Sequence, residues 1–175
     1  MEAKRAGDIM IPLDRYPHIP HWYTLRQAIA ELRASQIEVQ GSVSLPRAVL
    51  VFNKTYELLG IVRRRDILRG LAPSFLVGGP QDYERRLFDV QVDPNLSDFS
   101  SDKMLRAIRA QAERPVSEVM VPIVATVRSD DHLMKIVHEM VKHDLSLIPV
   151  IKDGRVVGVV RSVDLLNEIS DIVLS

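Results

Sequence analysis

Two kinds of apolar pattern alternate along this chain, and the pair occurs twice. Leu25, Ala28, Ile29 and Leu32 recur at helical spacing, opened by the Thr-x-x-Gln capping box Thr24-Leu25-Arg26-Gln27. Leu133, Ile136, Val137 and Met140 repeat that face 108 positions later, counted from Leu25 to Leu133. The other pattern is a short, nearly continuous apolar run, Ala48–Phe52 in the first half and Leu147–Ile151 in the second. Such runs suit strands covered on both faces rather than strands with one wet face. Lys152-Asp153-Gly154-Arg155 then reads as a hairpin turn, with Asp-Gly supplying the positive φ angles, and Asn53–Glu57 does the same less tightly.

The segments after these turns are near copies. Leu58-Leu59-Gly60-Ile61-Val62-Arg63-Arg64-Arg65-Asp66-Ile67-Leu68 matches Val156-Val157-Gly158-Val159-Val160-Arg161-Ser162-Val163-Asp164-Leu165-Leu166, 98 residues apart from Gly60 to Gly158. Each is an apolar strand with a glycine, then an arginine, then an aspartate three residues on that opens a helix. Upstream, Asp8-Ile9-Met10-Ile11-Pro12 returns as Glu118-Val119-Met120-Val121-Pro122, 110 positions from Asp8 to Glu118. An internal repeat sets the architecture. Each copy reads as short helix, strand, helix, two strands, helix, and the offsets 110, 108 and 98 make the first copy longer. Most of that excess falls in the irregular stretch Gln36–Pro46.

The expected boundaries are 6–71 for the first repeat, 72–114 for a connector and 115–173 for the second repeat. The connector contains the breakers Val77-Gly78-Gly79-Pro80 and Val92–Ser97. It also carries one helix, capped at Ser101 and reaching about Ala112, with Met104, Leu105 and Ile108 expected on its buried face. A repeat of about 60–70 residues is marginal as an independent core, so the two copies should pack together.

Composition narrows the functional classes. The 23 basic and 23 acidic residues cancel, which removes any global electrostatic reason for binding nucleic acid or membrane. With no cysteine, disulfides and thiolate chemistry are excluded. No apolar run approaches the ~20 residues of a membrane span, and the first residues lack the apolar stretch of a signal peptide, so a cytoplasmic protein is expected. His18 and His21 are broken by prolines, and His138 and His143 do not share a helical face, so no metal site is expected. No nucleophile–base–acid arrangement, P-loop or dinucleotide fingerprint is present, and an enzyme is not expected. Within the connector Asp82, Glu84, Asp98 and Asp102 are candidate catalytic groups, and no spacing recommends them.

Asp66 and Asp164 are the candidate ligand residues. A fixed carboxylate can accept from both hydroxyls of a ribose diol, and the first turn of a helix favours its charge and attracts phosphate. An aspartate there also simply stabilises the helix end, by ~0.3–1 kcal/mol.

The order Asp/Glu-h-Met-h-Pro, closing with Gly-h-h-x-x-x-Asp (h, apolar), resembles the CBS (cystathionine β-synthase) domain family. The second copy carries the clearer match, in Ser146-Leu147-Ile148-Pro149-Val150 followed by Gly154, Gly158 and Asp164. The resemblance implies an α/β fold of two pseudo-twofold-related CBS repeats packed as one Bateman module, with clefts between the repeats. It implies a regulatory module, commonly a homodimer, that binds an adenosine-containing ligand (AMP, ADP, ATP, S-adenosylmethionine or NAD) and modulates a partner protein. Asp164 and Asp66 are then the ribose-binding acids, Thr126 and its counterpart His18 ligand contacts, and Ile148-Pro149-Val150 the lining of the adenine pocket. Proline there would free the local backbone from sheet pairing. The first copy has no Ile-Pro-Val in register. Arg63 and Arg161 stand where the family carries Thr or Ser. Facing the cleft, a guanidinium would favour anionic ligands such as ATP or ADP; paired with its neighbouring aspartate, it would close the site. The alternative function is then a structural dimerisation module with no nucleotide ligand.

Overall fold

A computed structural model describes residues 4–72 and 101–175. The breakers Val77–Pro80 and Val92–Ser97, with Asp82, Glu84 and Asp98, lie outside these residues. In the first repeat α1 (Ala6–Ile9), β1 (Ile11–Pro12) and a 3₁₀ turn at Leu13–Arg15 lead to β2 (His18–Pro20) and α2 (Leu25–Ala34). There follow β3 (Ile37–Val39), β4 (Ser42–Ser44), β5 (Ala48–Phe52), β6 (Leu58–Arg63) and α3 (Arg64–Leu71). Next come α4 (Ser101–Gln111), a 3₁₀ turn at Val116–Glu118, β7 (Val121–Pro122) and β8 (Val127–Arg128). The chain ends with α5 (Leu133–His143), β9 (Leu147–Lys152), β10 (Arg155–Arg161) and α6 (Ser162–Leu174). The single strand expected before each long helix is thus two short ones.

The two opening strands are exchanged between repeats. β1 completes the second sheet, in the order β1-β10-β9-β8, and β7 completes the first, in the order β2-β5-β6-β7. Ile11 pairs with Val159 and Pro12 with Gly158; reciprocally, Val121 pairs with Ile61 and Pro122 with Gly60. This explains the two glycines of the repeated motif. A Cβ on Gly158 would stand 2.5 Å from the Ile11 carbonyl oxygen, and one on Gly60 would stand 2.5 Å from that of Val121. The short opening helices are exchanged as well: Ala6 and Ile9 belong to the core of the second repeat, Val116 and Val119 to that of the first.

The apolar runs are buried on both faces. Val49 and Val51 point into the first repeat's core, whereas Leu50 and Phe52 join Leu147, Val159, Ile11, Tyr16 and Ile37 in a third core between the repeats. Ladder register makes Val49-Leu50-Val51 the structural counterpart of Ile148-Pro149-Val150, since Ala48 faces Arg63 as Leu147 faces Arg161. The motif is therefore present in position, with leucine where the second copy has proline.

Two expectations need correction. The stretch Gln36–Pro46 is not irregular: it forms the antiparallel hairpin β3–β4, with Ile37 opposite Ser44 and a turn in which Gln40 and Gly41 both have positive φ. In α4, Met104 and Ile108 are partly covered but Leu105 is half exposed, and no residue of the helix is fully buried.

Candidate functional site

β6 and β10 each end in an arginine that is the N-cap of the following helix, and each places its aspartate at the third helical position. The sequence therefore brings Arg63 to Asp66, and Arg161 to Asp164, without help from the rest of the fold. Arg63 Nε and Nη2 donate to Asp66 Oδ2 and Oδ1 at 2.8 and 3.0 Å. Arg161 Nε and Nη2 donate to Asp164 Oδ2 and Oδ1 at 2.6 and 2.8 Å. Both guanidinium groups lie in the bidentate fork that matches a carboxylate best.

The two sites differ in what is left over. Asp66 also accepts from its own N-cap, the Arg63 main-chain N–H, at 2.9 Å, and from Arg69 Nη2 at 3.0 Å. Four donors thus meet a carboxylate that has about four acceptor positions. Burial raises the pKa of Asp66, but hydrogen bonds from the Arg63 side chain and main chain, with the Arg63 and Arg69 charges, outweigh it and hold the carboxyl below its usual range. The same bond to Asp66 raises Arg63. Asp164 accepts only the two Arg161 bonds among the described residues, so two of its positions remain open.

The second arginine is nevertheless the better covered. Arg161 keeps 13% of its side-chain surface and Arg63 35%. The cover is the β3–β4 hairpin of the first repeat, whose Ser44 Oγ accepts from Arg161 Nη1 at 2.7 Å. At the hairpin tip Gln40 Nε2 donates to Glu168 Oε1 at 3.4 Å, and Glu168, buried one helical turn beyond Asp164, also receives Lys4 Nζ. Tyr16 completes the surround. It is buried, its hydroxyl donates to the Ala48 carbonyl oxygen at 3.0 Å, and burial raises its pKa well above the ordinary value, with Arg161 lowering and Asp164 raising it.

The remaining expected residues divide. Ile148 and Val150 are buried in the second repeat's own core and their side chains line no cleft; Pro149 sits in the strand position equivalent to Leu50, which faces the other repeat. Thr126 is exposed just before β8, at the end of the sheet where β10 turns into α6. His18 is engaged within the protein. Its Nδ1 lies 2.9 Å from the Tyr16 carbonyl oxygen, which can only accept, and its Nε2 lies 3.2 Å from the Tyr56 hydroxyl. His18 also stands edge-on to Phe52 and lines an open groove of about 680 Å³ with Asp14, Glu31, Glu38 and Gln40.

Ser44, Tyr16, Glu168 and Arg69 were not legible as site residues. Glu168 had a signal, its four-residue spacing from Asp164 on one helix face. Ser44 had none, because its role depends on where the hairpin lands. Among the described residues no cluster of three His, Asp or Glu is placed to hold a metal ion, and no helix is long and apolar enough to cross a membrane.

Exchanged opening strands and paired arginine–aspartate helix starts define a two-repeat α/β module. Residues 116–171 match the CBS domain family, and the chain has the fold of a tandem CBS pair, a Bateman module. Three similar structures illustrate that fold. One is the CBS domain of a CBS domain-containing membrane protein from Sphaerobacter thermophilus, at 21% identity, TM-score 0.63, covering 94% of this chain and 87% of that one. Another is CBSX2, a CBS-pair protein of Arabidopsis thaliana, in complex with AMP, at 15% identity, TM-score 0.60, covering 97% and 98%. The cytosolic domain of the Mg²⁺ channel MgtE in complex with ATP is similar at 20% identity, TM-score 0.59, covering 95% of this chain and 49% of that one. No curated protein matches by sequence.

Proposed function

We propose that this chain is a regulatory, non-catalytic module that takes an adenine nucleotide of the ATP, ADP or AMP class in the cleft at Asp164 and passes the resulting shift to a partner protein. The observation that carries the reading is the contrast between the two aspartates. Asp66 has a donor for each acceptor position, whereas Asp164 keeps two positions for a ribose diol and has a guanidinium beside it for phosphate. Similarity in fold to an AMP complex and an ATP complex supports the ligand class. In this reading Thr126 and Pro149 border the ligand, the strand backbone of Ile148 and Val150 rather than their side chains meets the adenine, and Asp66, Arg63 and His18 serve structure. The module works as a homodimer in the cytoplasm, with the exposed apolar residues of α5 and α6, Met134, Val141, Val163 and Leu166, as the natural contact.

A second reading has its own support. Both arginines clamp their aspartates, which suits a structural dimerisation module without nucleotide. A thermal-shift panel of AMP, ADP, ATP, S-adenosylmethionine and NAD separates the two. A nucleotide at 100 times its dissociation constant should raise Tm by about 5–11 °C, and Asp164→Ala should abolish the shift. No shift with any of the five favours the structural reading instead.

A further inference from the structure

The β3–β4 hairpin exists in one repeat only. Thirteen residues, 35–47, join α2 to β5, whereas three, 144–146, join α5 to β9 at the equivalent place. The ten extra residues are spent on a hairpin that reaches across to the other repeat. Its inward face carries Ile37, 1% exposed in the core between the repeats, and the cross-strand neighbour Ser44, which holds Arg161. Cross-strand neighbours point to the same side of a hairpin. One anchor is therefore apolar, in the core between the repeats, and the other polar, on the arginine that holds Asp164. Gln40 adds a tie to Glu168 from the tip. On the outward face Glu38 and Val43 are exposed.

We infer that this hairpin is a built-in stopper of the Asp164 cleft, with Ser44 engaging Nη1, the one guanidinium nitrogen of Arg161 that Asp164 does not hold, and that a polyphosphate displaces it. The inference rests on the nucleotide reading above and assigns its regulation. The chemistry of exchange is simple. Ser44 offers Arg161 a neutral hydroxyl oxygen, whereas a phosphate offers an anionic one, and charge-assisted bonds of guanidinium to phosphate are the stronger kind. Arg161 can pass Nη1 from Ser44 to phosphate while Nε and Nη2 stay on Asp164. Loss of the Ser44 bond leaves Ile37 as the main anchor, and the hairpin lifts from α6. Phosphate-free adenosine, having nothing to exchange for Ser44, should not release it. A site that is open only part of the time binds more weakly by that fraction.

The test uses the full chain and reads ATP binding by calorimetry together with amide hydrogen exchange across residues 37–44. ATP should raise exchange in the hairpin, adenosine should not, and Ser44→Ala should bind ATP about tenfold more tightly because the closed state has lost a bond to a charged group. ATP binding with unchanged hairpin exchange and unchanged Ser44→Ala affinity overturns the stopper while leaving the nucleotide reading intact. A Gln40→Ala/Ser44→Ala double variant decides the remaining case. If its hairpin exchanges faster and ATP binds neither it nor the wild type, the hairpin is not what excludes nucleotide, and both readings fall.

Discussion

Asp66 shows how the aspartate of a repeated motif can have its acceptor positions filled from within the protein. It is fully buried and receives four hydrogen bonds from Arg63 and Arg69. Asp66→Asn keeps the shape but leaves two guanidinium groups without their counter-charge; both are partly exposed and can turn to water, so the loss should be about 2 kcal/mol at neutral pH. Because the folded pKa is depressed, the charge stabilises the fold above the unfolded value near 3.9, and that stability is lost as pH falls through the folded value. Urea midpoints measured from neutral to strongly acidic pH should therefore show the wild type and the variant converging on the acid side. A constant gap would mean that the charge of Asp66 is irrelevant. The arginine–aspartate pairing was legible as one of two outcomes, since two residues three apart at a helix start can reach each other wherever the helix goes. The saturation of Asp66 was not, because it needs the rotamer of Arg69 and the dryness of the site.

At the scale of elements, the clearest physical constraint is the crossing of each opening strand over a glycine of the other repeat. Gly158→Ala drives a methyl group against the Ile11 carbonyl and Met10 Sδ, 2.5 and 2.9 Å from the new carbon. A main-chain carbonyl in a ladder has little room to yield, so β1 must lift, and we expect a loss of about 2 kcal/mol. Gly41→Ala, in open space at φ +80°, should cost about 1 kcal/mol through backbone strain alone. Thermal melts of the two variants compare the mechanisms, and equal stability of Gly158→Ala and wild type would mean that the strand exchange is not rigid. The turn at Asp153-Gly154 was readable because Asp-Gly favours two positive φ angles. Gln40-Gly41 adopts the same signs of φ but begins with a residue that rarely does, which is why the hairpin was missed.

For the whole molecule, the exchange means that neither repeat completes its own core. Ala6 and Ile9 fill the second repeat's interior and Ile11 pairs with its sheet, so a fragment of residues 116–171 lacks a helix and an edge strand from its fold. We expect that fragment to show no cooperative thermal transition by far-ultraviolet circular dichroism, and a peptide of residues 4–12 to restore one; a sharp melt of the fragment alone would mean that the exchange is dispensable. Sequence by itself determined the repeat, the long helices and the paired apolar strands within it, the double burial of those runs and the placing of each arginine within reach of its aspartate, though not that the two would pair. All of these follow from periodicity or from contacts within one turn of chain, where the local backbone geometry leaves few alternatives. Only the tertiary structure decided which repeat each opening strand joins, that the glycines serve that crossing, and that a hairpin from one repeat covers the arginine–aspartate pair of the other. Those outcomes depend on packing between segments far apart in sequence, such as Ile61 with Val121 and Ile11 with Val159, whose energies no local pattern encodes.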